Sequence, residues 1–292
     1  MDIGIGLPSS VPGAGGTDVV AWAREGERAG FSTLAVLDRL VFDSYECLIA
    51  LAAAAAVTER VRLATAIMIS PLRTSTALLA KQAASVDRLS GGRLTLGLAV
   101  GGRPDDFSAS GAAFDRRGRL LDEQVGELRR IWAGERRGIA GGIGPAPADP
   151  AGPPLILGGH SPRAISRAAR LGDGWISGAG AGSFAAGAGQ FRAAWQAAGR
   201  AGQPRLQALA YFALGGDARA VAEGYLGGYY GFAPGYARAV IGGALTDEEA
   251  IARAVAGLRE AGCDEVLFIP CSSDVAQVGL LGETLAATAG RA

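Results

Sequence analysis

Residues 157–164 have the residue types of a turn that binds an anion. They read Leu-Gly-Gly-His-Ser-Pro-Arg-Ala, so an apolar run passes into two glycines and then into Ser161 and Pro162. Serine favours the N-cap of a helix and proline its first turn, which predicts a helix start here. N–H groups at a helix N-terminus attract anions, and glycine lets a phosphate approach the backbone. The pattern predicts either a plain capped helix or a phosphate site, for which the candidates are Leu157, Gly158, Gly159, His160 and Ser161.

A carboxylate follows the apolar run at residues 34–37. Asp38 comes directly after this run, and Arg39 follows it. At the end of a buried strand, such a carboxylate could accept a hydrogen bond from a ring N–H group or move a proton. The structural alternative is that Asp38 pairs with Arg39 or caps the next loop. We predict Asp38 as a catalytic and cofactor-binding residue and leave this alternative open.

A glycine-rich stretch at residues 97–102 reads Gly-Leu-Ala-Val-Gly-Gly. Its glycines could accept a flat ring or a phosphate near a strand end, or they could simply close a turn. The six-residue glycine spacing of a dinucleotide fingerprint is absent, so the stretch does not predict a Rossmann site.

Four of the six tyrosines crowd between residues 225 and 236, together with Phe232. Such an aromatic segment could line a substrate pocket. It could equally pack as core or form a dimer contact, and we favour this second interpretation slightly.

The composition excludes several classes of protein. The 28 basic residues balance 28 acidic ones without a basic tract, which argues against a nucleic-acid-binding protein. His160 is the single histidine and the three cysteines are spaced unsuitably for zinc, so no metal site is predicted. Few acids or bases follow the apolar runs that predict strands, whereas glycines are frequent there, which indicates that a cofactor carries the chemistry. Neither a signal peptide nor a membrane-spanning segment is visible, so we expect a cytoplasmic protein without a membrane partner.

Eight short apolar runs alternate with longer helical patterns along the chain. The predicted strands cover residues 3–7, 34–37, 61–68, 94–100, 155–157, 174–177, 207–214 and 265–269. The predicted helices cover residues 18–29, 45–57, 74–89, 114–132, 162–171, 184–198, 217 onward, 246–261 and 275–287. Parallel strands need crossover connections, and eight such units predict an α/β protein with a closed (β/α)8 TIM barrel. The alternative is a doubly wound open sheet.

We expect residues 1–292 to form a single TIM-barrel domain with two additions. One is a loop insertion near residues 134–154, and the other is a lid near residues 215–245. In such a barrel, the site lies at the C-terminal ends of the strands.

Several stretches resemble the bacterial luciferase-like monooxygenase superfamily and, within it, the coenzyme F420-dependent oxidoreductase branch. They read AWAREGERAGF at residues 21–31, VRLATA at 61–66, LAKQAASVDRLSGGRL at 79–94, PLILGGHSP at 154–162 and ARLGDGW at 169–175. The resemblance implies a luciferase-like barrel that binds a flavin or deazaflavin and forms a homodimer. It places a bulge with a non-proline cis peptide at Ala66–Ile67, behind the flavin ring. It also makes Ala99, Val100 and Gly101 a second cofactor wall.

The chain departs from this family at one position. Many relatives have Asp-His after the second strand, where the histidine handles protons, but this chain has Asp38-Arg39. Arg39 cannot act as a general base, although it could bind an anionic substrate or the acidic cofactor tail. We predict Arg39 as a catalytic-site residue beside Asp38. Other candidates for the tail are Arg103, Arg116, Arg117 and Arg163.

The resemblance implies hydride transfer between coenzyme F420 and a small organic substrate, whose identity the sequence does not reveal. The first alternative is an FMN-dependent monooxygenase that uses reduced flavin and O2. The second is a non-enzymatic barrel that has lost its cofactor, for which the missing histidine is an argument.

Overall fold

A computed structural model of the chain describes residues 1–178 and 180–289. Eight parallel strands form hydrogen bonds in chain order, and the last strand pairs with the first, so the sheet closes into a barrel. The strands are β1 (Asp2–Gly6), β2 (Thr33–Val36), β3 (Arg62–Ile69), β4 (Leu94–Ala99), β5 (Leu155–Gly158), β6 (Gly174–Ser177), β7 (Arg205–Phe212) and β8 (Glu265–Pro270). The predicted (β/α)8 fold is confirmed. The doubly wound alternative is wrong, because an open sheet has no pairing between its first and last strands.

The helices pack around the outside of this barrel. They are α1 (Gly16–Arg28), α2 (Cys47–Ala55), α3 (Thr76–Leu89), α4 (Pro104–Ser110), α5 (Arg117–Trp132), α6 (Pro162–Leu171), α7 (Ala181–Ala197), α8 (Ala218–Tyr230), α9 (Pro234–Gly242), α10 (Glu248–Glu260) and α11 (Ala276–Ala289). Among the residues that the structure describes, no helix has both the length and the apolar content needed to cross a bilayer.

The sequence explains most of these elements locally. Strands β2, β6 and β8 are buried along their whole length, because helices cover one face of a barrel strand and the barrel interior covers the other. Four helices begin at side chains that accept a hydrogen bond from the first turn: Glu46 before α2, Ser75 before α3, Ser161 before α6 and Asp247 before α10.

Two predicted helices differ from the observed ones. The helix predicted at residues 114–132 is preceded by a short helix, α4, that was not predicted. Pro104 begins α4, and Gly111, in a left-handed conformation, ends it. The pattern from residue 217 onward covers two helices, because the chain turns after Tyr230 and Pro234 starts α9. Residues 134–154 contain no helix or strand, only one antiparallel bridge between Arg136 and Gly142.

A charged cluster closes the barrel at the N-terminal ends of the strands. The side chain of Glu265 is 1% exposed and lies between Arg62 and Arg205, at 2.8 and 2.9 Å. Its two oxygens also accept hydrogen bonds from Ser32, Thr33 and Gln207. Burial alone would raise the pKa of Glu265, but the hydrogen bonds from the two hydroxyls and Arg62 outweigh burial and lower it to about 2.

Candidate active site

The third strand carries a bulge at its C-terminal end. The register between β3 and β4 shifts between Thr65 and Met68, and the Ala66–Ile67 peptide is cis, as predicted. A Cβ atom at Gly97 would lie 2.0 Å from the carbonyl oxygen of Thr65, so no side chain fits opposite the bulge. A Cβ atom at Gly158 would lie 2.5 Å from Cδ1 of Ile67. Glycines on β4 and β5 therefore leave the space that the bulge and the Ile67 side chain occupy.

A cavity of about 410 Å³ lies at the C-terminal ends of the strands and includes the bulge in its lining. Of the twelve predicted site residues, nine line it: Asp38, Arg39, Ala66, Ile67, Ala99, Gly101, Gly158, Gly159 and His160. Ile176 and Leu209 add apolar surface from β6 and β7. A volume of this size and a largely apolar lining are typical of small-molecule and cofactor sites.

Three predicted site residues do not line the cavity. The side chain of Leu157 packs into the hydrophobic core between barrel and helices, because it points to the opposite face from its neighbours on β5. Val100 packs against the same core. Ser161 caps α6, since its hydroxyl accepts a hydrogen bond from the N–H of Ala164 at 3.2 Å.

Asp38 is buried at the cavity wall, and both of its carboxylate oxygens are engaged. Oδ2 accepts hydrogen bonds from Nη1 of Arg73 and, at 2.8 Å, from the backbone N–H of Ile69, while Oδ1 accepts one from Nη2 of Arg73 at 2.9 Å. Burial alone would lower the pKa of Arg73, but the charge of Asp38 raises it overall. Asp38 thus fixes the chain just after the bulge, and its partner is Arg73 rather than Arg39.

Arg39 is buried and contacts residues 215–245, the segment that the sequence predicts as a lid. Its guanidinium donates hydrogen bonds to the carbonyl oxygens of Tyr229 and Val41, each at 2.7 Å. The group also lies over the rings of Phe42 and Tyr229, at 4.6 and 5.0 Å from their centroids. Burial and the neighbouring Arg103 lower the pKa of Arg39. Because the Tyr229 carbonyl belongs to the last turn of α8, Arg39 supplies a donor that the helix end lacks.

Arg103 lies beside Arg39 and supports the same helix end. It donates to the carbonyl oxygen of Tyr229 at 3.1 Å, and its guanidinium lies 4.1 Å from the centroid of Phe232. Asp106 faces both arginines, with each Nε atom 3.5 Å from its Oδ2 atom. Both Nε atoms are buried without a hydrogen-bond partner among the residues described. Asp106 is therefore linked to Arg39 and Arg103 by ion pairs at 3.5 Å and not by hydrogen bonds.

The N-terminus of α6 borders the cavity through Gly159 and His160. Gly159 has a φ of +128°, which favours glycine, and a Cβ atom there would lie 2.6 Å from the Cβ of Ala164. Its carbonyl oxygen accepts a hydrogen bond from Nε1 of Trp175 at 2.9 Å, which fixes the turn. Desolvation of the ring lowers the pKa of His160 and favours its neutral form, although the residue as a whole is exposed. This geometry suits an anion at the helix N-terminus.

An aromatic wall completes the cavity and is the main feature that the sequence interpretation undervalued. Tyr229, Tyr230, Phe232 and Tyr236 from the lid line the cavity together with Tyr211 from β7. The crowding of tyrosines between residues 225 and 236 was the signal. The slightly favoured assignment to the core holds for Tyr225 and Tyr229, which are buried, but it left out the cavity that Tyr229, Tyr230 and Tyr236 line. Of the four tyrosines between residues 225 and 236, Tyr225 is the one that is buried without lining the cavity. Its hydroxyl forms a hydrogen bond with Oγ of Ser10 at 2.7 Å.

Two curated relatives from Mycobacterium tuberculosis (strain ATCC 25618 / H37Rv) align with more than half of the chain. An uncharacterised protein is 31% identical over 194 residues, which cover 56% of this chain and 66% of the relative. An F420-dependent hydroxymycolic acid dehydrogenase is 30% identical over 222 residues, which cover 70% of this chain and 61% of the dehydrogenase. The chain thus matches just under two thirds of the length of these relatives.

Solved structures share the fold over nearly the whole chain. An F420-dependent secondary alcohol dehydrogenase in complex with an F420–acetone adduct superposes with a TM-score of 0.83, at 19% identity and 99% coverage of both chains. The oxygenating constituent of 3,6-diketocamphane monooxygenase from Pseudomonas putida, in complex with FMN, gives a TM-score of 0.72 at 16% identity and 98% coverage of both chains. The profile of luciferase-like monooxygenases matches residues 1–265, and the chain belongs to the luciferase-like monooxygenase family.

Proposed function

We propose that the chain is an oxidoreductase that binds coenzyme F420 in the cavity and acts on a small organic substrate. The observation that carries the proposal is the bulge at Ala66–Ile67, which lines an apolar cavity and for which Gly97 and Gly158 make room. When bound there, the deazaflavin supplies hydride transfer to or from the substrate.

The residues present fit such a group. The side chain of Ile67 offers an apolar surface for a flat ring, and Ala99 and Gly101 flank it on the next strand. A Cβ atom at Gly102 would meet nothing within 4 Å, so the cavity has free space at this wall. The N-terminus of α6 is suited to a phosphate, with Gly158, Gly159, His160 and Ser161 as the segment that holds it.

The chain's own residues contribute positioning and exclusion of water. Asp38 holds the end of β3 through Ile69 and Arg73, so the wall of the cavity is rigid. Arg39 and Arg103 hold the end of α8, which keeps the aromatic lid over the cavity. Arg39 uses its hydrogen bonds on the lid, and therefore we assign it a positioning role rather than direct binding of an anionic substrate.

F420 is our first choice over FMN because a relative that is 30% identical over 70% of this chain is an F420-dependent dehydrogenase. The alternative is an FMN-dependent monooxygenase that uses reduced flavin and O2. It is favoured by the fold likeness to an FMN-bound monooxygenase. Both cofactors have a flat tricyclic ring and a phosphate, so the cavity walls suit either.

Titration of the purified chain with F420 and, separately, with FMN tests the proposal through the fluorescence of each cofactor. We expect micromolar or tighter affinity for F420 and weak affinity for FMN. The reverse preference would favour the monooxygenase. Binding of neither cofactor would overturn the proposed function and favour a non-enzymatic barrel.

A pair of glycine variants ties the affinity to this cavity. Gly102→Leu adds a side chain at the cavity wall, whereas Gly279→Leu adds one on α11, where a Cβ atom also meets nothing within 4 Å. We expect Gly102→Leu to weaken F420 binding about tenfold or more, equivalent to about 1.4 kcal/mol. Gly279→Leu is expected to bind F420 like the unchanged chain. Equal affinities of the two variants would place the cofactor elsewhere.

A further inference from the structure

Two tyrosine hydroxyls meet inside the cavity wall. The hydroxyl oxygens of Tyr211, near the end of β7, and Tyr230, in the last turn of α8, lie 2.6 Å apart. Both side chains line the cavity that also includes Ile67. One of the two hydroxyl hydrogens forms the bond between them, so the other remains for a second acceptor. Among the described residues, no acceptor for this second hydrogen is present.

Three of the other polar side chains at the cavity, those of Asp38, Arg39 and Tyr229, already have partners. Asp38 is held by Arg73 and the N–H of Ile69, and Arg39 donates to two backbone carbonyls. The hydroxyl of Tyr229 is directed to the carbonyl oxygen of Asp38, at 3.5 Å. Two further donors, His160 and Tyr236, also line the cavity, but both residues are exposed to water, whereas Tyr211 is buried. The pair of Tyr211 and Tyr230 is therefore the donor that we assign to a substrate oxygen.

We propose that Tyr211 donates a hydrogen bond to a carbonyl oxygen of the substrate and, on reduction, transfers its proton to that oxygen, with Tyr230 behind it as the proton source. The inference rests on the proposed function and adds a substrate class, ketones or aldehydes and the corresponding alcohols. It also names a catalytic residue in a chain that has arginine where many relatives have the proton-handling histidine.

The positions of the two rings set the order of the relay. Tyr211 is 6% exposed and belongs to a barrel strand, so its hydroxyl is held rigidly. Tyr230 belongs to the lid and packs edge-on against Tyr236, which is 47% exposed, so protons from water reach it first. Burial raises the pKa of Tyr211 well above its usual value and raises that of Tyr230 too, so both hydroxyls stay protonated at neutral pH.

The proposed step is balanced in atoms and electrons. The carbonyl carbon gains a hydride from the reduced deazaflavin, and the electron pair of the C=O π bond moves to the oxygen. This oxygen takes the proton of Tyr211, Tyr211 regains one from Tyr230, and Tyr230 regains one from water. One carbonyl compound and one dihydrodeazaflavin give one alcohol and the oxidised deazaflavin, because the ring N–H proton that the cofactor releases to water balances the proton that Tyr230 takes from water. Alcohol oxidation runs the same steps in reverse.

A carbonyl probe reports the hydrogen bond without the cofactor. The absorption band of 4-(dimethylamino)benzaldehyde moves to longer wavelength when its carbonyl oxygen accepts a hydrogen bond, because the bond stabilises the charge-separated excited form. We expect the band of the probe bound to the unchanged chain to lie at longer wavelength than that of the probe bound to Tyr211→Phe. The band of the probe bound to Tyr230→Phe is expected to lie between these two. If Tyr211→Phe does not fold, the comparison of Tyr230→Phe with the unchanged chain takes its place.

Tyr225→Phe is the matched control, because it removes a buried hydroxyl that is bonded to Ser10 and does not line the cavity. Its band is expected to equal that of the unchanged chain. Equal bands for the unchanged chain and Tyr211→Phe, or failure of the probe to bind at all, would overturn the proposal. A shift lost only in Tyr236→Phe would assign the donor to Tyr236 instead and overturn it as well.

Turnover and cofactor binding separate this inference from the proposed function. With F420 bound, Tyr211→Phe is expected to reduce the probe about 100-fold more slowly in kcat with little change in KM. Its F420 affinity is expected to match that of the unchanged chain. If the unchanged chain binds no F420 but shows the band difference, the proposed function fails and the tyrosine pair stands. If F420 binds and the bands are equal, the tyrosine pair fails alone.

Discussion

Both ends of the barrel contain a cluster in which a buried carboxylate lies between two arginines, but the two clusters are bonded very differently. At the N-terminal end, Glu265 lies 2.8 and 2.9 Å from Arg62 and Arg205, and hydroxyl and amide groups fill its remaining positions. At the C-terminal end, Asp106 faces two arginine Nε atoms at 3.5 Å without a hydrogen bond. At the N-terminal end, hydrogen bonds therefore join the carboxylate to its arginines, and the half-exposed Asp2 pairs with both arginines as well. At the C-terminal end, no hydrogen bond joins the carboxylate of Asp106 to the two arginines among the residues described.

The difference follows from the elements that supply the residues. Glu265, Arg62 and Arg205 all belong to barrel strands, whose positions the sheet fixes. The arginines at the other end, Arg39 and Arg103, lie in loops after strands and use their donors on α8 of the lid. TIM barrels separate stability at the N-terminal face from function at the C-terminal face. We infer that the Glu265 cluster stabilises the fold, whereas the Asp106 cluster holds a movable part.

Matched carboxylate-to-amide changes give the largest expected difference between the two ends. Glu265→Gln leaves Arg62 and Arg205 with the half-exposed Asp2 as their remaining charged partner and is expected to lower the free energy of unfolding by about 3 kcal/mol. Asp106→Asn keeps the acceptor for the N–H groups of Leu40 and Val41 and is expected to cost about 1 kcal/mol. Denaturant unfolding measures both values. Equal losses at the two ends would contradict the inferred division.

Acid titration examines the same cluster without a mutation. Because folding lowers the pKa of Glu265 from 4.5 to about 2, its ionised form stabilises the folded state above the unfolded-state pKa. This stabilisation, about 3 kcal/mol, is expected to disappear as pH falls from about 5 to about 2. Unfolding free energies measured over this range should show a correspondingly shallower decline in Glu265→Gln. An equally steep decline in the variant would mean that other carboxylates cause the loss of stability at low pH.

Loss of Arg39 is expected to act on the lid rather than on the whole barrel. Arg39→Met removes two hydrogen bonds from a charged donor, worth about 2 kcal/mol, and leaves the end of α8 to Arg103 alone. Hydrogen exchange should therefore accelerate in α8 while the barrel strands keep their protection.

A second arginine on the same helix provides the control for this experiment. Arg219 forms an exposed pair with Glu223 on α8, and such pairs contribute little. Arg219→Met is expected to leave hydrogen exchange almost unchanged. Uniformly faster exchange over barrel and lid in Arg39→Met would show that Arg39 stabilises the whole fold.

The fold and much of the cavity wall could be predicted because both follow from local patterns. Barrel strands are buried on both faces, so they stand out as apolar runs, and β3 and β4 were predicted within one residue of their observed bounds. The C-terminal ends of those runs then gave most of the cavity wall. Leu157 was placed there wrongly because a segment-level prediction ignores the alternation of side chains between the two faces of a strand.

The partners of the predicted residues could not be found in this way. Asp38 is bonded to Arg73, which is 35 positions away, and Arg39 to Tyr229, which is 190 positions away. Tyr211 and Tyr230 are 19 positions apart, on a strand and on the helix that follows it, and their hydroxyls meet only once this helix has packed over the end of the barrel. Such pairings depend on the closed geometry of the barrel, which a linear pattern does not contain.

The smallest expected effect distinguishes two serines with the same local role. Ser75 and Ser161 each cap a helix by accepting a hydrogen bond at 3.2 Å from an N–H in the first turn, but only the helix after Ser161 begins at the cavity. Replacement of either serine by alanine is expected to cost about 1 kcal/mol of stability, measured by thermal or denaturant unfolding.

Cofactor affinity separates the two serine variants where stability does not. If the N-terminus of α6 holds the cofactor phosphate, Ser161→Ala lets the first turn fray and should weaken F420 binding several-fold, whereas Ser75→Ala should leave it unchanged. Equal F420 affinity of both variants would restrict Ser161 to capping and move the phosphate away from α6. The cavity would then keep the proposed surface for the flat ring and the tyrosine pair, but it would lose the proposed anion site at α6. The serine variants therefore test the phosphate site separately from the rest of the cavity.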